Sequence, residues 1–402
     1  MKILYIHQYF KTPIEGGAIR SYYIANAMVD AGMKVNVVTS HNSKKLIVKD
    51  IEGIRVHYLP VFYDNKYGIV KRIWAFLRFL WVAVSYIKKI DHDFCYATST
   101  PLTVGLIAVW NKWKNKKPFY FEVRDIWPEA PVQLGILKSR LLVGMAYKLE
   151  KMIYHRAEKI ICLSPPIEND IKKRYLYLNT LRVPNMSDCL FYSPEEKSNV
   201  LLRKFDVRED EFVISYFGAL GWVNHLEYLL EGALECQKAK LPIRFFIAGK
   251  GGEELRLKAL VREKGIANIE FVGHLNKFEL RELLNVTDAA YISFLNNKVL
   301  EANSPNKFFD GIAAGKLIIT NVKGWIKELV DDHQCGFYVN PEKPEDLAAK
   351  LRSFLLDREL LEEQKIRSRK LAQEQFSRTM LVKKIIREIK PMTESESRHL
   401  GL

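Results

Sequence analysis

Short apolar strands, each leading through a glycine-containing turn into a helix, recur along this chain and limit its fold more than any other feature. The first such unit runs from a strand at Lys2–His7 through Gly16 and Gly17 to a helix from about Ala18 to Ala31 and a strand at Val35–Thr39. Alternating strands and helices build a parallel sheet that binds ligands at the carboxyl ends of its strands. The sequence therefore predicts an α/β fold.

The same alternation restarts in the second half, from about residue 200. Its first two predicted strands end in glycine turns, Gly218 to Gly221 and Gly249 to Gly252. The predicted strands of this half are Phe212–Phe217, Ile243–Ala248, Ile269–Val272, Ala289–Phe294, Leu317–Thr320 and Phe337–Val339, and the predicted helices are Leu226–Ala239, Glu254–Glu263, Lys277–Leu284 and Ser304–Ala314. We therefore expect two doubly wound domains that face a common crevice.

The length of the chain agrees with two domains, because 402 residues exceed one typical core and leave about 200 for each. The turn-rich segment Arg182–Pro194 is the predicted junction. We expect an N-terminal domain over residues 1–190 and a C-terminal domain over 200–375. Residues 376–402 are expected to form a helix that packs back on the N-terminal domain, followed by a disordered tail.

Charge and cysteine content restrict the class of protein. The balance of 62 basic and 47 acidic residues gives a net charge of +15, which favours nucleic acid, an anionic membrane surface or a phosphorylated substrate as partner. Five scattered cysteines without a CxxC pair argue against disulfides and zinc and indicate a reducing cytoplasm. The first glycine loop, EGGAIR, is not GxGxxG, which disfavours a dinucleotide dehydrogenase.

The stretch EANSPNKFFDGIAAGKLIITN, residues 301–321, contains the largest group of candidate ligand-binding residues. Ser304 can cap a helix that has Pro305 at its first position. The start of that helix, with Asn306 and the charge of Lys307, is a ready anion site, and Asp310 can accept hydrogen bonds from sugar hydroxyls. A phosphate end and a hydroxyl end so close together indicate a nucleotide-sugar site, although an ordinary capped helix fits the pattern equally well.

Two further strand ends carry candidate residues. Arg124 and Asp125 follow a predicted strand at Pro118–Val123, where they form either an active site or a structural salt bridge. The Gly16–Gly17 turn either lets the backbone approach a phosphate, with Arg20 one helical turn on, or is a plain tight turn.

The segment KRIWAFLRFLWVAVSYIKKI, from Lys71, is densely apolar with basic ends, and its uninterrupted part is shorter than the ~20 residues of a spanning helix. It is either a core helix or an interfacial one that binds anionic headgroups. A second basic run with interleaved tryptophans follows at Lys112, Lys114, Lys116 and Lys117. We expect a cytoplasmic protein, peripheral on the inner face of the plasma membrane.

The chain resembles the retaining glycosyltransferases of the GT-B fold, sequence family 4, over nearly its whole length. The resemblance rests on the Gly16–Gly17 loop, VPNMSDCLF, the FGALG and IAGKG turns, and the segment ending DGIAAGK, which is similar to the acidic E-x7-E region of the family. RDIWPE and SPNKFFD resemble the subgroup that includes bacterial N-acetyl-fucosamine transferases of O-antigen and capsule synthesis.

The resemblance implies transfer of a sugar from a nucleotide diphosphate donor to a glycan acceptor that is lipid-linked. It assigns Asp310 to the second acidic position, which holds the donor ribose. The first acidic position falls on Ala302, next to Glu301, and the two usual cations after the first glycine turn are replaced by Ala219 and Asn224. We infer that Lys307, with the loop Ser304 to Asn306 and with Gly218 and Lys250 nearby, neutralises the leaving diphosphate, so that no metal or cofactor is needed.

Two alternatives remain at this point. A nucleotide-sugar epimerase of the non-hydrolysing kind also uses two such domains. A nucleic-acid-binding protein would use the positive charge, but basic residues are spread along the chain, no nucleic-acid module is recognised, and we expect no nucleic-acid partner.

Overall fold

Two mainly parallel β-sheets, one in each half of the chain, organise the fold. The computed structural model describes residues 1–17, 19–64 and 67–390. The predicted first helical residue, Ala18, and the predicted disordered tail lie outside the described residues. The predicted α/β architecture with two doubly wound domains is confirmed.

Within the described residues, eight strands form the first sheet in the order β3-β4-β2-β1-β5-β6-β7-β8. All neighbouring pairs are parallel except β3 and β4, which form an antiparallel hairpin that the sequence analysis missed. The strands are β1 (Lys2–Ile6), β2 (Lys34–His41), β3 (Ile47–Ile51), β4 (Ile54–Pro60), β5 (Phe94–Thr98), β6 (Phe119–Val123), β7 (Lys159–Cys162) and β8 (Thr180–Arg182). The helices of this half are α1 (Arg20–Asp30), α2 (Ile69–Ile87), α3 (Val104–Asn115), α4 (Glu129–Gln133), α5 (Arg140–Arg156) and α6 (Pro165–Arg174).

The second sheet, as described, has the order β11-β10-β9-β12-β13-β14 with parallel pairing. Its strands are β9 (Phe212–Phe217), β10 (Ile243–Ala248), β11 (Ile269–Gly273), β12 (Ala289–Ile292), β13 (Leu317–Thr320) and β14 (Gly336–Tyr338). The remaining helices are α7 (Asn199–Lys204), α8 (Glu227–Lys238), α9 (Glu254–Glu263), α10 (Lys277–Val286), α11 (Asn306–Ala313), α12 (Trp325–Asp332), α13 (Glu345–Leu356), α14 (Arg358–Gln375) and α15 (Arg378–Ile389).

The side chains of β1 point alternately to the two faces of the first sheet, each of which has its own buried apolar cluster. Leu4 and Ile6 join the buried cluster beneath α2, α3 and α6, whereas Ile3 and Tyr5 join the cluster beneath α1 and α15. This is the period-two alternation of a strand that is covered on both faces. The first sheet is therefore closed on one face by helix α15, which the chain reaches only after completing the second domain.

Candidate active site at the interdomain cleft

Residues at the carboxyl ends of strands in both halves line an interdomain cleft, which contains two cavities that meet at Asn306. The larger cavity, of about 340 Å³, is lined among others by His7, Tyr9, Arg124, Asp125, Ser304 and Pro305. The smaller one, of about 60 Å³, lies between the Gly16–Gly17 loop, Tyr23, Lys277 and Asp310. The structure thus brings together nine of the predicted residues, Gly16, Gly17, Arg20, Arg124, Asp125, Ser304, Pro305, Asn306 and Asp310.

Lys307 places its amine in a buried site built by distant segments of the second domain. Its Nζ donates to the hydroxyl of Tyr216 and to Oδ1 of Asn224, both at 3.1 Å, and lies 3.5 Å from the carbonyl oxygen of Ser293. Among the described residues no carboxylate forms an ion pair with this amine, and burial lowers its pKa to about 7. A charged amine in such a place lacks a counter-ion, so a bound anion would be strongly stabilised there.

The glycine turn after β9 makes room for this amine. A side chain at Gly218 would place its Cβ 3.3 Å from the Tyr216 hydroxyl and 3.5 Å from Cε of Lys307. Asn224, the hydrogen-bond acceptor of Lys307, occupies one of the two positions where the family resemblance expects a cation. The amine of Lys307 therefore lies directly beside the position of the missing charge.

The start of helix α11 differs from the prediction. The helix begins at Asn306 with Pro305 as its N-cap residue, and Ser304 does not cap it. Instead, Oγ of Ser304 accepts a hydrogen bond from the backbone N–H of Asn185 at 3.1 Å, and its carbonyl accepts one from the Asn185 side chain. Ser304 therefore ties the domain junction to the helix entrance, a role that no local sequence signal indicated.

Arg124 and Asp125 lie where predicted, at the end of β6 and in the larger cavity. They do not form a structural salt bridge with each other or with another described residue. Oδ2 of Asp125 accepts from the hydroxyl of Thr100 at 3.3 Å, and burial raises the pKa of this carboxyl. His7 faces the same cavity with Nδ1 unpartnered within the described structure, and burial together with the charge of Arg124 holds its pKa well below its usual range. His7 therefore presents a neutral imidazole to the cavity that Asp125 also lines.

Asp310 is half-buried and lines the smaller cavity, opposite the Gly16–Gly17 loop. Burial raises the pKa of its carboxyl to about 7, the charge of Lys277 lowers it, and that of Asp188 raises it further. Its assignment to the donor ribose stays a prediction.

The Gly16–Gly17 loop approaches the second domain, and Arg20 lines the smaller cavity with it while bonding to the protein. Both glycines have positive φ, 67° and 84°, and a Cβ on Gly16 would lie 3.4 Å from the carbonyl of Leu275. The Arg20 guanidinium is buried and bonds to Glu122 at 3.0 Å and to the carbonyls of residues 183 and 184. All three of its side-chain nitrogens bind the protein, so Arg20 has a structural role, and its predicted phosphate role stays a prediction.

Four of the predicted site residues line neither cavity: Gly218, Lys250, Glu301 and Lys307. The side chain of Lys250 is exposed after β10, and its contribution to the charge of the site stays a prediction. Glu301 is half-buried in a short 3₁₀ turn that packs against Gly324, where a Cβ would lie 2.9 Å from Cβ of Glu301. The neighbouring Ala302 is buried in the core of the first domain, and its carbonyl accepts from Oγ of Ser164 at 2.6 Å.

Sequence reasoning missed the residue that joins the two halves, Asp188. Its Oδ2 accepts hydrogen bonds from the hydroxyl of Tyr23 at 3.0 Å, from the amine of Lys277, and from the guanidinium of Arg378 at 3.2 Å. One buried carboxylate therefore joins the helices that carry these residues, α1, α10 and α15. The motif VPNMSDCLF contained Asp188 but gave no indication of these partners, which are 89 to 190 residues away.

One D-x-D triplet, Asp91 to Asp93, occurs just before β5, at the edge of the sheet opposite the cleft. Asp91 pairs with the side chain of Lys2, and Asp93 accepts from the Lys2 backbone at 2.7 Å. These carboxylates fix the start of the first sheet and do not belong to the cleft.

Two facing doubly wound domains with a cleft between them define the GT-B class of glycosyltransferases. Residues 15–185 match the family described as "Glycosyl transferase 4-like domain", and residues 198–371 match "Glycosyl transferases group 1". The chain therefore belongs to the GT-B glycosyltransferases that combine these two domains.

One curated relative and two solved structures illustrate the likeness. The chain is 24% identical over 243 residues to the putative colanic acid biosynthesis glycosyl transferase WcaI of Escherichia coli K12, a match that spans 58% of this chain and only 59% of that protein. Sucrose-phosphate synthase from Thermosynechococcus elongatus superposes with a TM-score of 0.77 at 16% identity, covering 98% of this chain and 99% of that one. Anabaena HepE in complex with UDP-glucose superposes with a TM-score of 0.71 at 17% identity, covering 97% of this chain and 100% of that one. None of these matches favours the epimerase alternative.

Proposed function

We propose that this chain moves a sugar from a nucleotide diphosphate donor to a lipid-linked glycan acceptor, with retention of the anomeric configuration, in the synthesis of a bacterial surface polysaccharide such as O-antigen or capsule. The subgroup resemblance favours a UDP-N-acetyl-6-deoxyhexose such as UDP-FucNAc as donor. The printed names of WcaI and of the HepE complex agree with a polysaccharide pathway and a uridine diphosphate donor.

The observation that carries the proposal is the buried amine of Lys307 without a carboxylate partner among the described residues. As the bond between the sugar and the diphosphate breaks, negative charge builds up on the departing phosphate oxygen. A fixed positive charge in a site that excludes water stabilises that charge without reorganisation. This arrangement supports a mechanism that does not need a metal.

The larger cavity supplies the acceptor side of the reaction. The acceptor oxygen forms its new bond on the face of the sugar that the diphosphate leaves, and its proton passes to the departing phosphate oxygen. In our proposal Arg124 and Asp125 bind and orient the hydroxyl groups of the reacting sugar and of the acceptor. Neutral His7 provides a further hydrogen-bonding group in the same cavity.

A thermal-shift screen of nucleoside diphosphates and their sugars tests the donor half of the proposal. A ligand at about 100 times its dissociation constant stabilises the folded protein by about 2.7 kcal/mol. We expect uridine diphosphate to raise the melting temperature and a matching UDP-sugar to be consumed only when an acceptor is added, with an α-linked product from an α-linked donor. Conversion of the donor in the absence of acceptor would instead support an epimerase.

A further inference from the structure

Helix α2 exposes an apolar stripe that no other described element covers. Val70, Trp74 and Trp81 are 75%, 68% and 76% exposed, and Ile73 and Leu77 lie between them. At 100° per residue these five side chains share one narrow face, while Ala75, Phe79, Ala83 and Ile87 on the opposite face are buried in the core. The helix is thus both a core helix and an exposed one, which combines the two alternatives left by the sequence.

Basic residues run along one edge of this stripe. Lys71 and Arg78 are exposed and fall on the same flank of the helix, and the exposed Lys88 and Lys89 directly follow its last residue, Ile87. Residues 65–121 contain ten lysines and arginines against two acidic residues, so this segment alone supplies more than half of the net charge of +15. Aromatic and aliphatic side chains bordered by cations match the boundary between the acyl chains and headgroups of an anionic bilayer.

The stripe begins next to the cleft. Helix α2 follows β4 and therefore starts on the side of the sheet where the carboxyl ends of the strands lie. Tyr63, just before the helix, contacts Tyr9 with ring centroids 4.9 Å apart and stacks on Phe76 of α2 at 5.9 Å. Because Tyr9 lines the larger cavity, aromatic rings connect the exposed helix with the proposed acceptor site.

We infer that the outer face of α2 lies in the headgroup region of an anionic lipid bilayer and that this contact brings a lipid-borne acceptor to the side of the first sheet on which the larger cavity lies. The membrane contact stands on the stripe and its charges, and only the acceptor route rests on the proposed function. Among the described residues no helix has the length and apolarity to cross a bilayer, so the contact proposed is interfacial.

Co-sedimentation of the full chain with vesicles of phosphatidylcholine, with and without phosphatidylglycerol, tests the contact. We expect binding to the anionic vesicles that falls by at least about tenfold in Trp74→Ser/Trp81→Ser and in Lys71→Gln/Arg78→Gln/Lys89→Gln. Matched controls in the second domain are Val200→Ser/Leu255→Ser, which removes side chains that are 74% and 82% exposed, and Lys264→Gln/Lys343→Gln/Lys370→Gln, which makes the same change in charge. Both controls should bind vesicles as the wild type does.

The thermal shift produced by uridine diphosphate is measured on every variant, because it reports on the donor site alone. Retained nucleotide binding with lost vesicle binding in the α2 variants supports the inference. The membrane contact would be overturned, with the proposed function left intact, by either of two results. The wild-type chain could fail to bind anionic vesicles, or the α2 variants could bind them as the wild type does. Dissociation of a dimer by Trp74→Ser/Trp81→Ser, with vesicle binding unchanged, would identify the stripe as a contact between two copies and would also overturn the membrane contact.

Discussion

The buried amine of Lys307 costs the free protein stability and prepares it for an anion. Tyr216, Asn224 and Ser293 supply oxygen partners, none of them a carboxylate. Neutral oxygen partners compensate a buried charge only in part, which is why burial lowers the pKa of this amine to about 7. A diphosphate would complete the site electrostatically.

Replacing Lys307 should therefore separate stability from turnover. We expect Lys307→Met to unfold at the same temperature as the wild type or higher, because a buried charge is removed, and to lose turnover by ~10²-fold or more. Lys316 is a matched control, since burial also lowers its pKa to about 7 but it precedes β13 at the edge opposite the cleft. Lys316→Met should keep full turnover in the same assay, and equal turnover in both variants would remove Lys307 from the mechanism.

Binding of the donor should take up a proton above pH 7. In the free protein Lys307 loses its proton near pH 7, whereas a bound diphosphate raises the pKa of the amine. Affinity should accordingly be highest below pH 7 and fall as the pH rises above it, until the pKa of the complex is passed. Calorimetry of uridine diphosphate binding at about pH 8 in buffers of different ionisation enthalpy measures this uptake. If the Lys307→Met variant takes up the same proton on binding uridine diphosphate, the proton must go to another group.

At the level of helices and strands, sequence patterns found most of the fold. β9, β10, α9 and β13 were predicted to the residue, because each is a mainly apolar run or an amphipathic helix that ends at charged residues or at glycine, proline or asparagine. The β3–β4 hairpin was missed because its two-residue turn has Glu52 at φ 49° before Gly53 at φ 81°. Two-residue hairpin turns are usually recognised by the dipeptide Asn-Gly or Asp-Gly, and the Glu-Gly dipeptide of this turn does not match that pattern.

The candidate site was only partly readable from the sequence. Lys307, Arg124 and Asp125 stand out because they follow a strand end or open a helix, where ligands gather in such folds. Asp310 stands out because it lies about one turn further along the same helix as Lys307. Tyr216, Asn224 and Asp188 gave no signal, because their importance comes from contacts between segments far apart in the chain. The structural role of Arg20 was hidden for the same reason, since its partner Glu122 lies 102 residues away.

The two glycine turns that follow β9 and β10 are in contact, so we expect an added side chain at this contact to destabilise the protein. A Cβ on Gly249 would lie 1.8 Å from the carbonyl oxygen of Gly218, while a Cβ on Gly252 would have no atom within 4 Å. Gly249→Ala should lower the free energy of unfolding by roughly 2 kcal/mol or more and weaken nucleotide binding, since the turn beside Lys307 must shift. Gly252→Ala should change neither in denaturant titration or calorimetry. Equal behaviour of the two variants would contradict the packing described for these turns.

Buried polar contacts at the cleft join the two halves of the protein, in addition to the apolar packing of α15 on the first sheet. Asp188 joins α1, α10 and α15, Asn185 and Ser304 join the junction to α11, and Ser164 joins α6 to Ala302. These contacts fix how the donor-side helix entrance faces the first sheet, and hence how the two cavities meet.

Removing the shared carboxylate should loosen this arrangement. Asp188→Asn leaves Lys277 buried without its counter-ion, and we expect a loss of roughly 3–5 kcal/mol in the free energy of unfolding. Glu195→Gln breaks a solvent-exposed pair with Arg281 and should cost less than about 1 kcal/mol. Denaturant unfolding of both variants makes the comparison, and similar losses would show that Asp188 has no special part in joining the halves.

Helix α15 belongs spatially to the first half and sequentially to the second. Leu381, Ile385 and Ile389 complete the same buried cluster as Ile3 and Tyr5, and the hydroxyl of Tyr120 donates to the carbonyl of Glu388. A chimaera that joins the first 190 residues to the second half of a relative would therefore bring a foreign helix to this sheet. A recombinant of this chain keeps the packing partners of its first sheet only if it is built from three segments, with the last helix taken from the same parent as the first sheet.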